Sequence, residues 1–182
     1  MAVAFVGLPG AGKSAVGRRL AQRLQLPFVD SDQVIEQRIG CSIREYFDRE
    51  GEARFRDVEQ AVIADLAAHA NGVVATGGGA VLRDANRIRL RDHFHVIYLR
   101  SSPEDLFRRL RHDVKRPLLQ VADPLGRLRE LHSVRDPLYS ETAHDVVETG
   151  RPSVSMLVSI IVMQLELAGV VVSAPPDAPP AA

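Results

Sequence analysis

The sequence predicts a three-layer α/β domain, in which helices cover both faces of a sheet. Short apolar runs that resemble strands alternate along the chain with longer segments of helical pattern. Apolar runs separated by helices are typical of parallel strands buried on both faces. The first run leads directly into a glycine-rich loop and a helical segment. Because ligands of such sheets bind beyond the carboxyl ends of the strands, we expect the functional site there.

The strand candidates are the short runs "AVAFV", "PFV", "VVAT", "VIYL" and "VVE". They occupy residues 2–6, 27–29, 73–76, 96–99 and 146–148. Helical patterns fill the stretches between and after these runs. The helix candidates are residues 13–24, 33–38, 43–48, 52–69, 83–91, 103–111, 125–139 and 154–167.

The last helix candidate lies within an apolar stretch, residues 154–172, that polar residues interrupt. Gln164 and Glu166 fit a packed terminal helix better than a membrane span. The following segment, "SAPPDAPPAA", is rich in proline and alanine and has little to bury. We therefore expect one domain over residues 1–172 and a disordered tail over residues 173–182.

Composition narrows the range of functions and locations. A chain of 182 residues is long enough for one domain with a substantial core. The formal net charge is zero, so charge alone gives no reason to expect nucleic acid or a membrane as a partner. A single cysteine, Cys41, cannot form an intramolecular disulfide, and the N-terminus lacks the pattern of a signal peptide. We expect a cytoplasmic protein.

The loop "GLPGAGKS", residues 7–14, matches the phosphate-binding pattern G-x-x-x-x-G-K-[ST] between a strand and a helix. Its glycines let successive backbone amides face one anion, and the following helix adds its positive end. Lys13 can reach the β- and γ-phosphates, and Ser14 can ligate magnesium. The pattern predicts binding of ATP or GTP without fixing the reaction. The residues assigned to the nucleotide are Gly10, Ala11, Gly12, Lys13, Ser14 and Ala15.

Two carboxylates follow the second strand candidate in the stretch "VDSD". If this stretch is extended, Asp30 and Asp32 project on the same side. One carboxylate could order magnesium through a water, a role we assign to Asp30, and the other could hold an acceptor hydroxyl. The alternative is that Asp32 or Ser31 merely caps the next helix.

The stretch "EGEARFRDVE" places Arg56 and Glu59 three residues apart on a predicted helix, where they can pair. Phe47 and Phe55 flank the stretch. An arginine held by a glutamate beside aromatic side chains suits a small carboxylate that carries an apolar ring. The alternative is an ordinary surface ion pair, which contributes little to stability.

Three consecutive glycines, Gly77, Gly78 and Gly79, follow the third strand candidate. They expose backbone amides and permit the close approach of a ligand, whereas a simple flexible turn rarely needs three.

Later, two prolines break the helical pattern at about residues 112–124, in "HDVKRPLLQVADP". This segment has the character of a mobile lid that carries Arg116.

The ordered set "GLPGAGKS", "DSD", "GEARFR", "GGGAV", "RPLL" and "RDPLY" resembles the shikimate kinase family from residue 2 to about residue 167. The resemblance implies a P-loop fold similar to that of nucleoside monophosphate kinases, with a five-stranded parallel sheet. It also implies transfer of the γ-phosphoryl group of ATP to the 3-hydroxyl of shikimate, with Mg²⁺, in aromatic amino-acid biosynthesis. It favours a monomer.

Site roles follow from this resemblance, residue by residue. Asp32 would hold the shikimate hydroxyls, and Arg56 together with Arg135, which we expect near a helix end before Pro137, would bind the carboxylate. Gly78 and Gly79 would offer backbone contacts. The residues implied on the nucleotide side are Arg116 at the transferring phosphoryl group and Arg109 with Pro152 at adenine. Ala15 departs from the threonine of many relatives, so we expect a modest effect on nucleotide affinity.

The chemistry of phosphoryl transfer agrees with these roles. Lys13, Mg²⁺ and Arg116 would neutralise charge at the γ-phosphoryl group, and cationic or magnesium-linked neighbours should keep Asp32 ionised. A gluconate kinase of the same fold is the enzyme alternative, but it would not need two arginines directed at a carboxylate. A regulatory module that binds without turnover is the other alternative. It would be expected to lack Asp32 or the lid arginine.

Overall fold

The computed structural model describes residues 1–111 and 121–171. The lid expected at about residues 112–124 is therefore described only from residue 121 onward. Arg116 and the expected tail, residues 173–182, lie outside the described residues.

Five parallel strands form a single sheet within the described part of the chain. Their order across the sheet is β2-β3-β1-β4-β5, which confirms the predicted α/β class and strand number. The strands are β1 (Ala2–Val6), β2 (Phe28–Asp30), β3 (Gly72–Ala75), β4 (His95–Arg100) and β5 (Asp145–Glu148). The four residues that follow the first alanine of "AVAFV" are fully buried, as expected for a strand covered on both faces.

Eight helices occur in the described residues, close to the predicted positions. They are α1 (Lys13–Leu24), α2 (Ser31–Ile39), α3 (Ile43–Glu50), α4 (Glu52–Ala68), α5 (Asp84–His93), α6 (Pro103–Leu110), α7 (Pro124–Thr142) and α8 (Val154–Leu167). The largest difference is in α7, which ends at Thr142 rather than at residue 139. Arg135 therefore lies about two turns before the end of the helix, and the expectation that it lies near a helix end was wrong.

The core has two parts. The main cluster surrounds the sheet and includes residues of α1 and α8, which pack against each other. A smaller cluster, built on Ile35, Phe55 and Val62, lies between α2, α3 and α4. No helix in residues 1–111 and 121–171 is both long enough and apolar enough to cross a membrane.

Sheet order brings three loops to one place. Because β2, β3 and β1 are adjacent and parallel, their carboxyl ends share one edge of the sheet. The glycine-rich loop after β1, the Asp30 turn after β2 and the glycines after β3 therefore meet, although they are far apart in the sequence.

Candidate active site

The loop after β1 folds around the side chain of its own lysine. Lys13 Nζ donates hydrogen bonds to the carbonyl oxygens of Gly7 at 2.7 Å and Leu8 at 2.9 Å. Gly10 and Gly12 have φ values of 83° and 96°, a backbone region that favours glycine. Gly12 is the N-cap of α1, and no side chain caps the helix there. The first backbone amides of α1 are therefore available to bind an anion held by the loop.

This loop forms one wall of a cleft of about 450 Å³. The opposite wall comes from the ends of β2 and β3, so predicted donor-side and acceptor-side residues face one space. The lining residues are Pro9, Gly10, Gly12, Lys13, Ser14, Ala15, Asp30, Asp32, Thr76, Gly77, Gly78 and Leu110. Ala11 is nearly fully buried in the loop and packs in the core.

Ser14 and Asp30, the two predicted magnesium ligands, are in direct contact. Ser14 Oγ donates to Asp30 Oδ2 at 2.6 Å, and Asp30 Oδ1 accepts from the backbone amide of Asp32 at 3.0 Å. Hydroxyl and carboxylate oxygens beside a phosphate-binding loop are the ligand types that Mg²⁺ prefers. The oxygens of these two side chains therefore fit a magnesium ion that is completed by phosphate and water.

The turn between β2 and α2 differs from the expected extended segment. Ser31 already begins α2, and the helix cap is Asp30 rather than Asp32 or Ser31. Ser31 Oγ instead accepts a hydrogen bond from Gly77 N at 3.2 Å. Asp30 and Asp32 nevertheless both reach the cleft, because the first helical turn carries Asp32 back toward it.

Burial, aided by the nearby Asp30 and opposed by Lys13, raises the pKa of the Asp32 carboxyl from 3.8 to about 6. The expectation that cationic neighbours keep Asp32 ionised is wrong as to the cause, because desolvation and Asp30 outweigh Lys13. A carboxyl with this pKa is mostly ionised at pH 7 and can still accept a proton.

Arg56 and Glu59 form a buried ion pair with an Nη1–Oε1 distance of 2.7 Å. Their side chains are 12% and 2% exposed, so the interpretation as an ordinary surface pair is wrong. Burial raises the pKa of Glu59, whereas the guanidinium groups of Arg56 and, more weakly, Arg135 lower it. Arg135 on α7 thus lies close to the pair on α4, as the two-arginine hypothesis requires.

The predicted aromatic residues pack beside this pair. The ring centroids of Phe47 and Phe55 are 5.5 Å apart, and the Arg56 guanidinium lies 5.1 Å from the Phe55 ring centre. Phe55 is buried in the smaller core cluster, with Phe47 packed against it. Neither ring lines the cleft described above, so their contact with substrate stays a prediction.

The three glycines after β3 are required because neighbouring side chains occupy the space that their own side chains would need. None of the three has a positive φ. A Cβ atom on Gly77 would lie 2.6 Å from Asp32 Oδ1, and one on Gly79 would lie 2.3 Å from Arg56 Nη1. A Cβ on Gly78 would lie 2.6 Å from Cδ of Pro9 in the phosphate loop. This segment is the spacer between the two halves of the site.

Tyr139 is a site residue that the sequence reasoning missed. Its hydroxyl donates to the carbonyl oxygen of Gly78 at 2.6 Å, and Arg135 lies one helical turn before it on α7. Burial raises the pKa of this phenol to about 12, so it remains a donor. The sequence offered one signal for Tyr139. It follows Arg135 by four residues, and residues four apart on a helix share a face.

The predicted adenine residues, Arg109 and Pro152, do not line the cleft at the phosphate loop. Arg109 Nη2 donates to the backbone oxygen of Thr149 at 2.7 Å. Pro152 lines a depression of about 560 Å³ together with Asp105, Gly150 and Arg151. Both residues are thus near the segment after β5, and their contact with adenine stays a prediction.

Comparison with known proteins places this geometry in a family. The sequence model of the shikimate kinase family matches residues 9–166. The chain belongs to the shikimate kinase family. It is an ATP-dependent kinase that transfers the γ-phosphoryl group of ATP to the 3-hydroxyl of shikimate, and the family prediction is confirmed.

Similar relatives cover nearly the whole chain. The shikimate kinase of Paracidovorax citrulli is 60% identical, with 93% of this chain and 94% of the relative covered. That of Ralstonia nicotianae is 57% identical, with 99% and 92% covered. Among solved structures, the shikimate kinase from Acinetobacter baumannii in complex with shikimate has a TM-score of 0.85 at 40% identity, covering 93% of this chain and 94% of that chain.

Proposed function

We propose that the cleft between the phosphate loop and the ends of β2 and β3 is where this enzyme phosphorylates shikimate. The observation that carries the proposal is that Lys13 and Asp32 line the same cleft. A lysine that reaches the donor phosphates and a carboxylate that receives a hydroxyl proton must share one space for direct transfer.

On the donor side, the loop amides and the start of α1 bind the phosphates. Lys13 is held by the carbonyls of Gly7 and Leu8 and supplies positive charge at the β- and γ-phosphates. Ser14 would ligate Mg²⁺, and Asp30 would hold it through a water. When bound, this ion would neutralise phosphate charge and orient the γ-phosphoryl group.

On the acceptor side, Asp32 hydrogen-bonds the shikimate hydroxyls and takes the proton of the 3-hydroxyl as the oxygen attacks phosphorus. Arg56 and Arg135 bind the carboxylate, and Gly77, Gly78 and Gly79 let the ring approach the backbone. Anchoring the carboxylate at one end of the ring decides which hydroxyl faces the phosphate loop.

The remaining assignments belong to the same proposal. Arg116 enters from the lid at about residues 112–124 and stabilises the transferring phosphoryl group, while Arg109 and Pro152 contact adenine. Residues 1–172 act as one domain, and the tail is dispensable for activity. The enzyme works as a cytoplasmic monomer, without nucleic-acid or membrane partners.

The carboxylate role is tested with Arg135→Lys in a coupled assay of ADP release. A single ammonium cannot reproduce two parallel bonds to a carboxylate, so the KM for shikimate should rise about tenfold or more while the KM for ATP stays unchanged. Arg127→Lys is the matched control, because Arg127 lies on the same helix with an exposed partner, Glu130. An unchanged KM for shikimate in Arg135→Lys removes Arg135 from the carboxylate site.

Acceptor identity is tested in the same assay with gluconate in place of shikimate. The buried arginine at position 56 and the nearby Arg135 favour a carboxylate carried by a ring over a flexible polyol. Turnover of gluconate at a comparable kcat/KM would contradict the proposed substrate geometry.

A further inference from the structure

We propose that Tyr139 is a positioning residue that fixes α7, the helix that carries Arg135, relative to the phosphate loop by way of Gly78. The inference rests on the proposed role of Arg135 at the shikimate carboxylate. It extends that role, because it identifies what sets the distance between the carboxylate anchor and the phosphoryl donor.

The first support is the position of the phenol. Tyr139 is fully buried, one helical turn after Arg135 on α7. Its ring packs against Tyr98 of β4, with ring centroids 5.0 Å apart. A side chain packed on all sides has one rotamer available, so its hydroxyl is held at a fixed point.

The second support is the pattern of hydrogen bonds at that hydroxyl. The single phenolic proton is directed to Gly78 O at 2.6 Å. Arg135 precedes Tyr139 by four residues, so the two side chains project from the same face of α7. One hydroxyl therefore joins a side chain of α7 to the backbone of the glycine segment.

The third support is the contact on the far side of Gly78. The space that a side chain on Gly78 would need is occupied by Pro9 of the phosphate loop, 2.6 Å from the expected Cβ position. Tyr139, Gly78 and Pro9 thus form a continuous series of contacts from the helix that carries Arg135 to the phosphate loop. Loss of the hydroxyl should break the first contact in this series.

Tyr98 offers a closely matched control. It is also buried, and its hydroxyl also donates a hydrogen bond, but to Asp136 Oδ1 at 2.8 Å rather than to the site. Burial raises the pKa of Tyr98 as it does that of Tyr139. Removing either hydroxyl therefore deletes one buried hydrogen bond, and only one of the two touches the glycine segment.

The experiment compares Tyr139→Phe with Tyr98→Phe by steady-state kinetics for both substrates and by urea denaturation. We expect both variants to lose stability. Only Tyr139→Phe should raise the KM for shikimate, by roughly tenfold, the scale of one lost buried hydrogen bond. The KM for ATP should stay within about twofold in both variants. Because KM does not depend on the amount of folded enzyme, a partly unfolded variant still gives a decisive value.

A second arm uses the methyl ester of shikimate, which lacks the charged carboxylate. If Tyr139 acts through Arg135, the effect of Tyr139→Phe on KM should shrink with the ester, and the effects of Tyr139→Phe and Arg135→Lys should be non-additive. An unchanged shikimate KM in Tyr139→Phe, or an equal rise in Tyr98→Phe, overturns the inference. If Arg135→Lys raises the KM and Tyr139→Phe does not, only the inference fails and the proposed carboxylate site stands.

Discussion

Asp32→Asn should make the enzyme more stable while removing most of its activity. The carboxyl has an ordinary pKa of 3.8, which burial, aided by Asp30, raises to about 6 in the folded protein. The folded state therefore binds more protons than the unfolded state between these two values, and stability falls as pH rises through that window. The difference is roughly two pH units at about 1.4 kcal/mol each, so the ionised side chain costs up to about 3 kcal/mol at neutral pH.

The neutral amide of the variant avoids this cost at every pH. Urea denaturation at pH 7.5 should show the variant more stable by up to about 3 kcal/mol, and the gain should largely disappear near pH 4, where Asp32 itself is neutral. Asp48→Asn, a change on the exposed side of α3, is the control and should show no such gain. A destabilised variant at pH 7.5, or a gain of equal size at both pH values, refutes the reasoning.

Kinetics test the same carboxyl independently. The kcat/KM of the wild-type enzyme for shikimate should fall below about pH 6 as Asp32 becomes protonated, since this ratio reports groups of the free enzyme. The variant should lose roughly 10²- to 10⁴-fold in kcat, the usual contribution of a positioned base. A profile that stays flat to pH 5 would remove Asp32 as the proton acceptor.

Two further predictions concern the acceptor side. Gly79→Ala should raise the KM for shikimate with little change for ATP, because its Cβ would displace the Arg56 guanidinium 2.3 Å away; equal effects on both substrates would argue for general unfolding instead. Glu59→Ala should lower the free energy of unfolding by about 3 kcal/mol, since it leaves the buried Arg56 guanidinium without its partner and opens a cavity. Glu52→Ala, which removes the exposed partner of Arg56, should change it by less than about 1 kcal/mol. Similar losses in both variants would contradict the burial argument.

The parts of the site that could be predicted are those encoded locally. The phosphate loop depends on glycines at fixed offsets and on the helix that follows, and the Arg56–Glu59 pair depends on helical spacing. The missed features join distant parts of the chain: Tyr139 and Gly78 are 61 residues apart, and their contact requires the full sheet and α7. The raised pKa of Asp32 could not be predicted for the same reason, because desolvation is set by every element that surrounds the carboxyl.

The charges on the acceptor side of the cleft are not balanced until the ligands bind. Glu59 faces the guanidinium groups of Arg56 and Arg135, and Glu52, the second partner of Arg56, is exposed. The charged groups that solvent does not fully screen therefore carry a net positive charge, which a substrate carboxylate between the two arginines would balance. Asp32 faces the opposite imbalance, because Asp30 adds negative charge that Lys13 only partly offsets, and Mg²⁺ at Ser14 and Asp30 would correct it. The fold holds both imbalances beside one glycine segment, with Asp32 against Gly77 and Arg56 against Gly79. The substrate carboxylate and the metal ion that accompanies ATP are each bound more tightly because each offsets one of these imbalances.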